Sequence, residues 1–163
     1  TGAMKVLETI LRYGYLWTKI RVQGGAYGAN AHFSYLGYVD LTTYRDPNLM
    51  ESLAAFRSLP EYLANFTASD REMTKYVIGT MSGIDMPLTN SLHLDRAIAL
   101  YTTALTPEIR QKNRDQILDV TVADIRALAP VVKAVLADDY FCVVGSQKKI
   151  LDHKEIFSAL KNV

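Results

Sequence analysis

The sequence predicts an α+β fold in which an antiparallel or mixed β-sheet is covered by several helices. Three observations carry that expectation. Long stretches place apolar residues at helical spacing and are punctuated by capping and proline signals. Two runs after residue 30 alternate with a period of two around Gly37. One run near the C-terminus, Tyr140-Phe-Cys-Val-Val144, is apolar throughout and reads as a strand buried on both faces. At 163 residues the chain is long enough for one domain with a real core, or for part of a larger domain, and too short for two independent ones.

Ala3, Leu7, Ile10, Gly14 and Trp17 fall at offsets of four and three, which predicts a helix over residues 3–18. Lys19 to Val22 reads as a short strand that carries Arg21 into a glycine loop. Ala31, Phe33 and Tyr35, then Val39, Leu41 and Thr43, predict the two arms of an antiparallel hairpin. Asp46-Pro47 supplies a cap residue and a proline suited to a first helical turn, for a helix to Ser58. Pro60 interrupts it before a short helix to Phe66. Ser69 and Glu72 have capping-box spacing for a helix to Ser82. Asp85-Met-Pro87 is expected to open a helix to Leu105, Thr106-Pro-Glu108 one to Asp119, and Thr121-Val-Ala-Asp124 one to Leu136. After the strand at 140–144 a last helix, capped by Asp152, is expected to reach Leu160. Few strands are available to cover so many helices, so strands are expected to be missing from before Thr1.

Composition excludes several classes. With 49% hydrophobic residues, 21% charged residues and a formal net charge of +1, the chain has neither the profile of a disordered protein nor the basic excess of a nucleic-acid binder. No apolar run approaches the roughly 20 residues that a membrane-spanning helix needs, so no membrane partner is expected. The single cysteine, Cys142, sits in the apolar run and is expected to be core, without a disulfide partner and in a reducing compartment. The start, Thr1-Gly-Ala-Met-Lys-Val6, passes directly into a helical pattern and lacks the features of a signal or transit peptide.

One stretch stands apart, Arg21-Val-Gln-Gly-Gly-Ala-Tyr-Gly-Ala-Asn30. Gly24, Gly25 and Gly28 lie within five residues. Such a cluster marks a tight turn or close packing, or a place where a ligand's backbone lies against the main chain. Arg21 and Tyr27 would face whatever the glycines admit. A phosphate loop would require Lys-Ser/Thr after its last glycine, but Ala29-Asn30 follow Gly28. Zinc-peptidase motifs need two histidines and a glutamate at fixed spacing, whereas His32, His93 and His153 stand apart. No metal site and no cofactor are therefore expected in this chain, and the residues alone define no reaction.

The stretch from Tyr15-Leu-Trp-Thr-Lys-Ile-Arg through Gly24-Gly-Ala-Tyr-Gly-Ala29 resembles the C-terminal domain of the pitrilysin/insulin-degrading enzyme family of zinc peptidases, in its presequence protease-like form. Tyr44-Arg-Asp-Pro-Asn-Leu49, Ser69-x-x-Glu72 with Tyr76-Val-Ile-Gly-Thr80, Asp85-Met-Pro87 and Val143-Val-Gly145 extend the resemblance over nearly the whole chain. The resemblance implies a metallopeptidase (LuxS/pitrilysin-like) α/β domain, the last of four that close as a clamshell around a peptide substrate. Zinc and the general base would lie in the N-terminal half of the same peptidase, the partner of this domain. Arg21 would hold substrate carbonyls, Tyr27 would donate to the scissile carbonyl as it becomes an oxyanion, and Gly24, Gly25 and Gly28 would admit the peptide. Family domains open with two or three strands, so the chain is expected to be an N-terminally truncated fourth domain, inactive alone and able to self-associate. A bacterial cytoplasm is favoured, with an organellar matrix as the alternative. The same fold also builds noncatalytic processing-peptidase and respiratory core subunits, which keeps a structural role open.

Overall fold

The computed structural model describes residues 1–34 and 37–161. Its organising element is the N-terminal helix. The α-helix α1 spans Gly2–Ile10 and continues without a break into two π-helical segments, Leu11–Tyr15 and Trp17–Gln23. Val6, Leu7, Ile10, Leu11, Leu16 and Ile20 on this rod are almost fully buried. Each contributes about 1.5–3 kcal/mol through removal of its side chain from water.

The expected strand at 19–22 is thus corrected: those residues extend the helix. Ile20 and Val22 have strand-like composition, but the buried positions Leu11, Leu16 and Ile20 recur at five and four. Only a helix wound wider than 3.6 residues per turn aligns that spacing on one face. Where the α-register ends, the N–H of Leu16 donates to the carbonyl of Leu11, five residues back. The same drift displaces the predicted face, so that Trp17 is 40% exposed.

β1 (Gly28–Phe33) and β2 (Val39–Tyr44) pair antiparallel, with Gly28 opposite Tyr44 and Phe33 opposite Val39. This is the expected hairpin, although Tyr35 lies outside the described residues. Ala31 and Phe33 are buried against the rod while His32 faces outward. The carboxylate of Glu8 fixes that contact: it accepts the N–H of Phe33 at 2.6 Å and pairs with Lys5 at 2.9 Å and with His32 at 3.2 Å.

The remaining described residues are helical or irregular: α2 (Leu49–Arg57), α3 (Leu59–Ala64), α4 (Asp70–Ile84), α5 (Asn90–Thr102), α6 (Pro107–Leu118), α7 (Val122–Ala127), α8 (Ala129–Leu136), α9 (Gln147–Asp152) and a 3₁₀ turn at Lys154–Ile156. The capping box expected at Ser69 and Glu72 forms, and the helix expected to open at Thr121 carries a second one, between Thr121 and Asp124. Helix starts differ where proline intervenes. Asp85 ends α4 and Thr89 caps α5, so Pro87 lies in the connection rather than in a first turn. The helix expected from Thr121 to Leu136 divides at Leu128, with Pro130 in the first turn of α8. Asp46 does not cap α2 directly. Its carboxylate accepts from Asn48 N–H at 2.9 Å and from Ser52 Oγ at 2.5 Å, bracing the turn before the helix.

Two C-terminal expectations are also corrected. Residues 140–144 form no strand; Tyr140 is 92% and Val144 83% exposed, and Cys142 is exposed rather than core. Their hydrophobicity predicted neighbours on both sides, and among the described residues β2 pairs with β1 alone. The last helix lies earlier than expected, at Gln147–Asp152, because His153 at φ −127° leaves the helical conformation. The architecture is accordingly α+β and mostly helical, with a two-stranded antiparallel sheet among the described residues.

Candidate functional site

The glycine loop leaves the π-helical end of the rod and enters β1. The helix can terminate here because Gly24 and Gly25 have no side chain. A Cβ on Gly24 would lie 2.6 Å from the carbonyl oxygen of Ile20, and Gly25 takes φ +75°, a region costly for other residues. Gly25 N–H then donates to Arg21 O at 3.0 Å and Ala26 N–H to Ile20 O at 3.1 Å. Asn48 closes the loop from the far side, its side-chain amide donating to Gly24 O. At Gly28 a Cβ would make only an ordinary contact, 3.8 Å from Cβ of Tyr44. The first two glycines therefore have a structural reason that the third lacks.

Tyr27 emerges from this fold of backbone 66% exposed, and its hydroxyl has no hydrogen-bond partner among the described residues. Its position is nevertheless defined. Tyr27 N–H donates to Tyr44 O at 3.1 Å, and its ring meets that of Tyr44 edge-on at 6.0 Å between centroids. The guanidinium of Arg45 lies 5.9 Å from the Tyr27 ring and 5.5 Å from the Tyr44 ring. Arg45 holds φ +48°, a conformation that costs a non-glycine residue about 1–3 kcal/mol and that concentrates at functional sites.

Arg21 occupies the other side of the loop. Its guanidinium stacks 4.0 Å from the centroid of Trp17. Arg12, Tyr13, Trp17 and Arg21 line a depression of about 160 Å³ that is closed by residues 28–30 of β1. None of Arg12, Arg21 and Arg45 pairs with a carboxylate among the described residues. The expected residues thus flank one turn, with Arg21 at the end of the π-helical segment, Gly24, Gly25 and Tyr27 in the turn and Gly28 opening β1, but Arg21 and Tyr27 serve different neighbourhoods of it. Sequence reasoning missed Arg12, Trp17 and Tyr44, and it assigned Arg45 to a salt bridge that is absent among the described residues. A π-register would have shown the first two; the hairpin register, Gly28 opposite Tyr44, would have shown the others.

A second cavity, of about 790 Å³, runs between the outer side of β2 and residues 138–146, over α2 and α8. Met4 of α1 and Leu53 and Phe56 of α2 contribute to its apolar wall. The described residues contain no cluster of His, Cys, Asp or Glu that could hold a metal. His32 is engaged with Glu8, His153 lies 3.8 Å from Glu155, and His93 sits on α5. Among the described residues no donor set fits a zinc ion. Among the described residues no helix is long and apolar enough to cross a membrane.

Comparison with known proteins gives these features a context. Residues 1–147 match the family model described as PreP C-terminal domain. The chain is 41% identical over its full length to a Clostridium perfringens protein named HypA, of which it spans 17%. It is 31% identical over 93% of its length to the mitochondrial presequence protease of Aspergillus fumigatus, spanning 14% of that protein. With presequence protease 1 of Arabidopsis thaliana, chloroplastic/mitochondrial, the identity is 27% over 91% of the chain, again 14% of the relative. The chain therefore corresponds to about a sixth or less of the relatives it matches.

Proposed function

The chain belongs to the PreP C-terminal domain family, within the pitrilysin-like peptidases, and from that premise we propose that it is the substrate-facing C-terminal domain of a peptide-degrading metallopeptidase. The observation that carries this reading is the unengaged phenol of Tyr27, held on a backbone turn that Gly24 and Gly25 make possible. A residue retained for packing would bury its ring and satisfy its hydroxyl. Tyr27 does neither.

In this proposal the Tyr27 hydroxyl donates to the scissile carbonyl as negative charge develops on it. A donor aimed at an oxyanion in a water-poor chamber is worth about 3–4 kcal/mol in the transition state. Tyr44 and Arg45 set the direction of the ring. Arg21 holds carbonyls of the extended peptide beside the cleavage position, and the two roles suit the two sides of the loop. The metal and the general base are assigned in this reading to another part of a longer polypeptide.

The partner implied by this reading is that N-terminal part of the same polypeptide. Two uncovered regions suit it. One is the cavity beside β2, which lies between β2 and residues 140–144. The other is α5, which buries none of its residues and exposes Leu92, Leu94, Ile98 and Tyr101. The domain reading, one domain over residues 1–163 completed by strands supplied from outside it, follows the same line. Turnover by the intact polypeptide carrying Tyr27→Phe tests the central claim.

A further inference from the structure

The depression beside Arg21 contains a residue that the resemblance does not single out. Arg12 and Arg21 are nine positions apart, and an α-helix would turn about 900° between them, placing them on opposite faces. The π-helical winding of Leu11–Tyr15 and Trp17–Gln23 removes that separation, because residues four and five apart then form a row. Arg12, Trp17 and Arg21 all lie on the exposed side, whereas Leu11, Leu16 and Ile20 lie on the buried one. Segments of π-helix are uncommon and recur at functional sites. Here Arg12 and Arg21 line a single small depression, and neither pairs with a carboxylate among the described residues.

We propose that Arg12 and Arg21, with the Trp17 ring stacked on Arg21, form a carboxylate subsite that takes a peptide's C-terminal carboxylate or an acidic side chain. The volume of about 160 Å³ suits one short group rather than a whole ligand. A guanidinium presents parallel N–H donors that match the two oxygens of a carboxylate, and stacking on Trp17 fixes the plane of the Arg21 fork. Tyr13 and residues 28–30 supply the remaining wall, which places the bound group beside β1 and next to the loop that bears Tyr27. The inference rests on the reading of this face as substrate-binding and deepens it. It assigns the face a preference for negative charge and makes Arg12 a specificity residue.

Trp17 is the only tryptophan of the chain, so its fluorescence reports directly on the depression. Three peptides of one neutral sequence are titrated into the 163-residue chain: one with a free C-terminus, one amidated, and one amidated with a single glutamate. At least one carboxylate-bearing peptide should give a saturable change, with the amidated neutral peptide roughly tenfold weaker or more. Arg12→Gln should abolish most of that preference and Arg12→Lys should restore part of it, with circular dichroism confirming that both variants fold. Whichever carboxylate-bearing peptide binds identifies the source of the charge. Equal binding of all three peptides, no response to any of them, or an unchanged preference in Arg12→Gln overturns the proposal. Turnover by Tyr27→Phe is a separate measurement, so the subsite and the catalytic reading can fail independently.

Discussion

The guanidinium of Arg21 lies 4.0 Å from the centroid of the Trp17 ring, four residues earlier on the same π-helical segment. Arg21 is thereby held against the helix and presents its donors to the depression beside β1. A flexible arginine loses side-chain entropy when it grips a peptide; one already stacked loses less.

In the intact polypeptide, Arg21→Ala should act chiefly on KM. The residue is assigned contacts that exist in ground and transition states alike, which is uniform binding. Trp17→Leu leaves the charge in place and removes only its support. An exposed cation–π pair is worth about 0.5–1 kcal/mol, so KM should rise roughly two- to fivefold. A Trp17→Leu enzyme with unaltered KM would show that the stacking does not organise Arg21 for binding.

Tyr27→Phe should divide the kinetic constants differently. Loss of a donor used only in the transition state should lower kcat and kcat/KM together by roughly 10²–10³, with KM nearly constant. The structure adds a control. The Tyr27 hydroxyl has no partner among the described residues and the ring is 66% exposed, so the melting temperature should not move. Full activity in a folded variant would remove Tyr27 from the catalytic site.

How much of this was legible in the sequence depended on whether a signal was local. The hairpin was readable because one face of β1 packs on the rod, which imposes a period of two on Ala31 and Phe33. The capping box at Ser69 and the helix start at Thr121 were readable because the residues that fix them stand within three positions of each other. The rod was read correctly as helical to residue 18 but misread as a strand from Lys19, since a template of 3.6 residues per turn cannot express a π-register. The same error concealed Arg12. The run at 140–144 carries a true strand composition, but it lies along the cavity without a strand partner among the described residues, and Tyr140 and Val144 stay exposed. The unusual φ of Arg45 had no local sign at all.

Acid stability should depend on the capping boxes. The carboxyl of Glu72 titrates below its ordinary value of 4.5 because the Ser69 side chain and N–H donate to it. That of Asp124 falls below 3.8 through the equivalent bonds from Thr121. A carboxyl whose pKa is lowered by folding stabilises the fold fully above its unfolded value, and that contribution is lost as pH falls through the folded value. Stability against denaturant should therefore fall progressively below about pH 4.5. Ser69→Ala with Thr121→Ala should cost stability near neutral pH, and its deficit should narrow as the pH drops through this window. A deficit independent of pH would show that the carboxyls contribute nothing through these bonds.

The long cavity beside β2 leads to the last expectation. Among the described residues β2 has a single strand partner, and its other edge faces a space of about 790 Å³ with the apolar segment 140–144 opposite. Unpaired strand edges recruit other strands, and the apolar lining adds to the drive. Within the 163-residue chain the strand most readily available belongs to a second copy. Sedimentation across a concentration series should therefore show reversible self-association. Thr42→Lys, which places a charge at an exposed position of β2, should weaken it, because charged edges disfavour strand addition. In the intact polypeptide the space is proposed to be filled, and Cys142, exposed in this chain, should react with a thiol reagent far more slowly than in the isolated domain. A strictly monomeric chain, together with equal Cys142 reactivity in both forms, would mean that the sheet needs no further strand and that the cavity serves some other purpose.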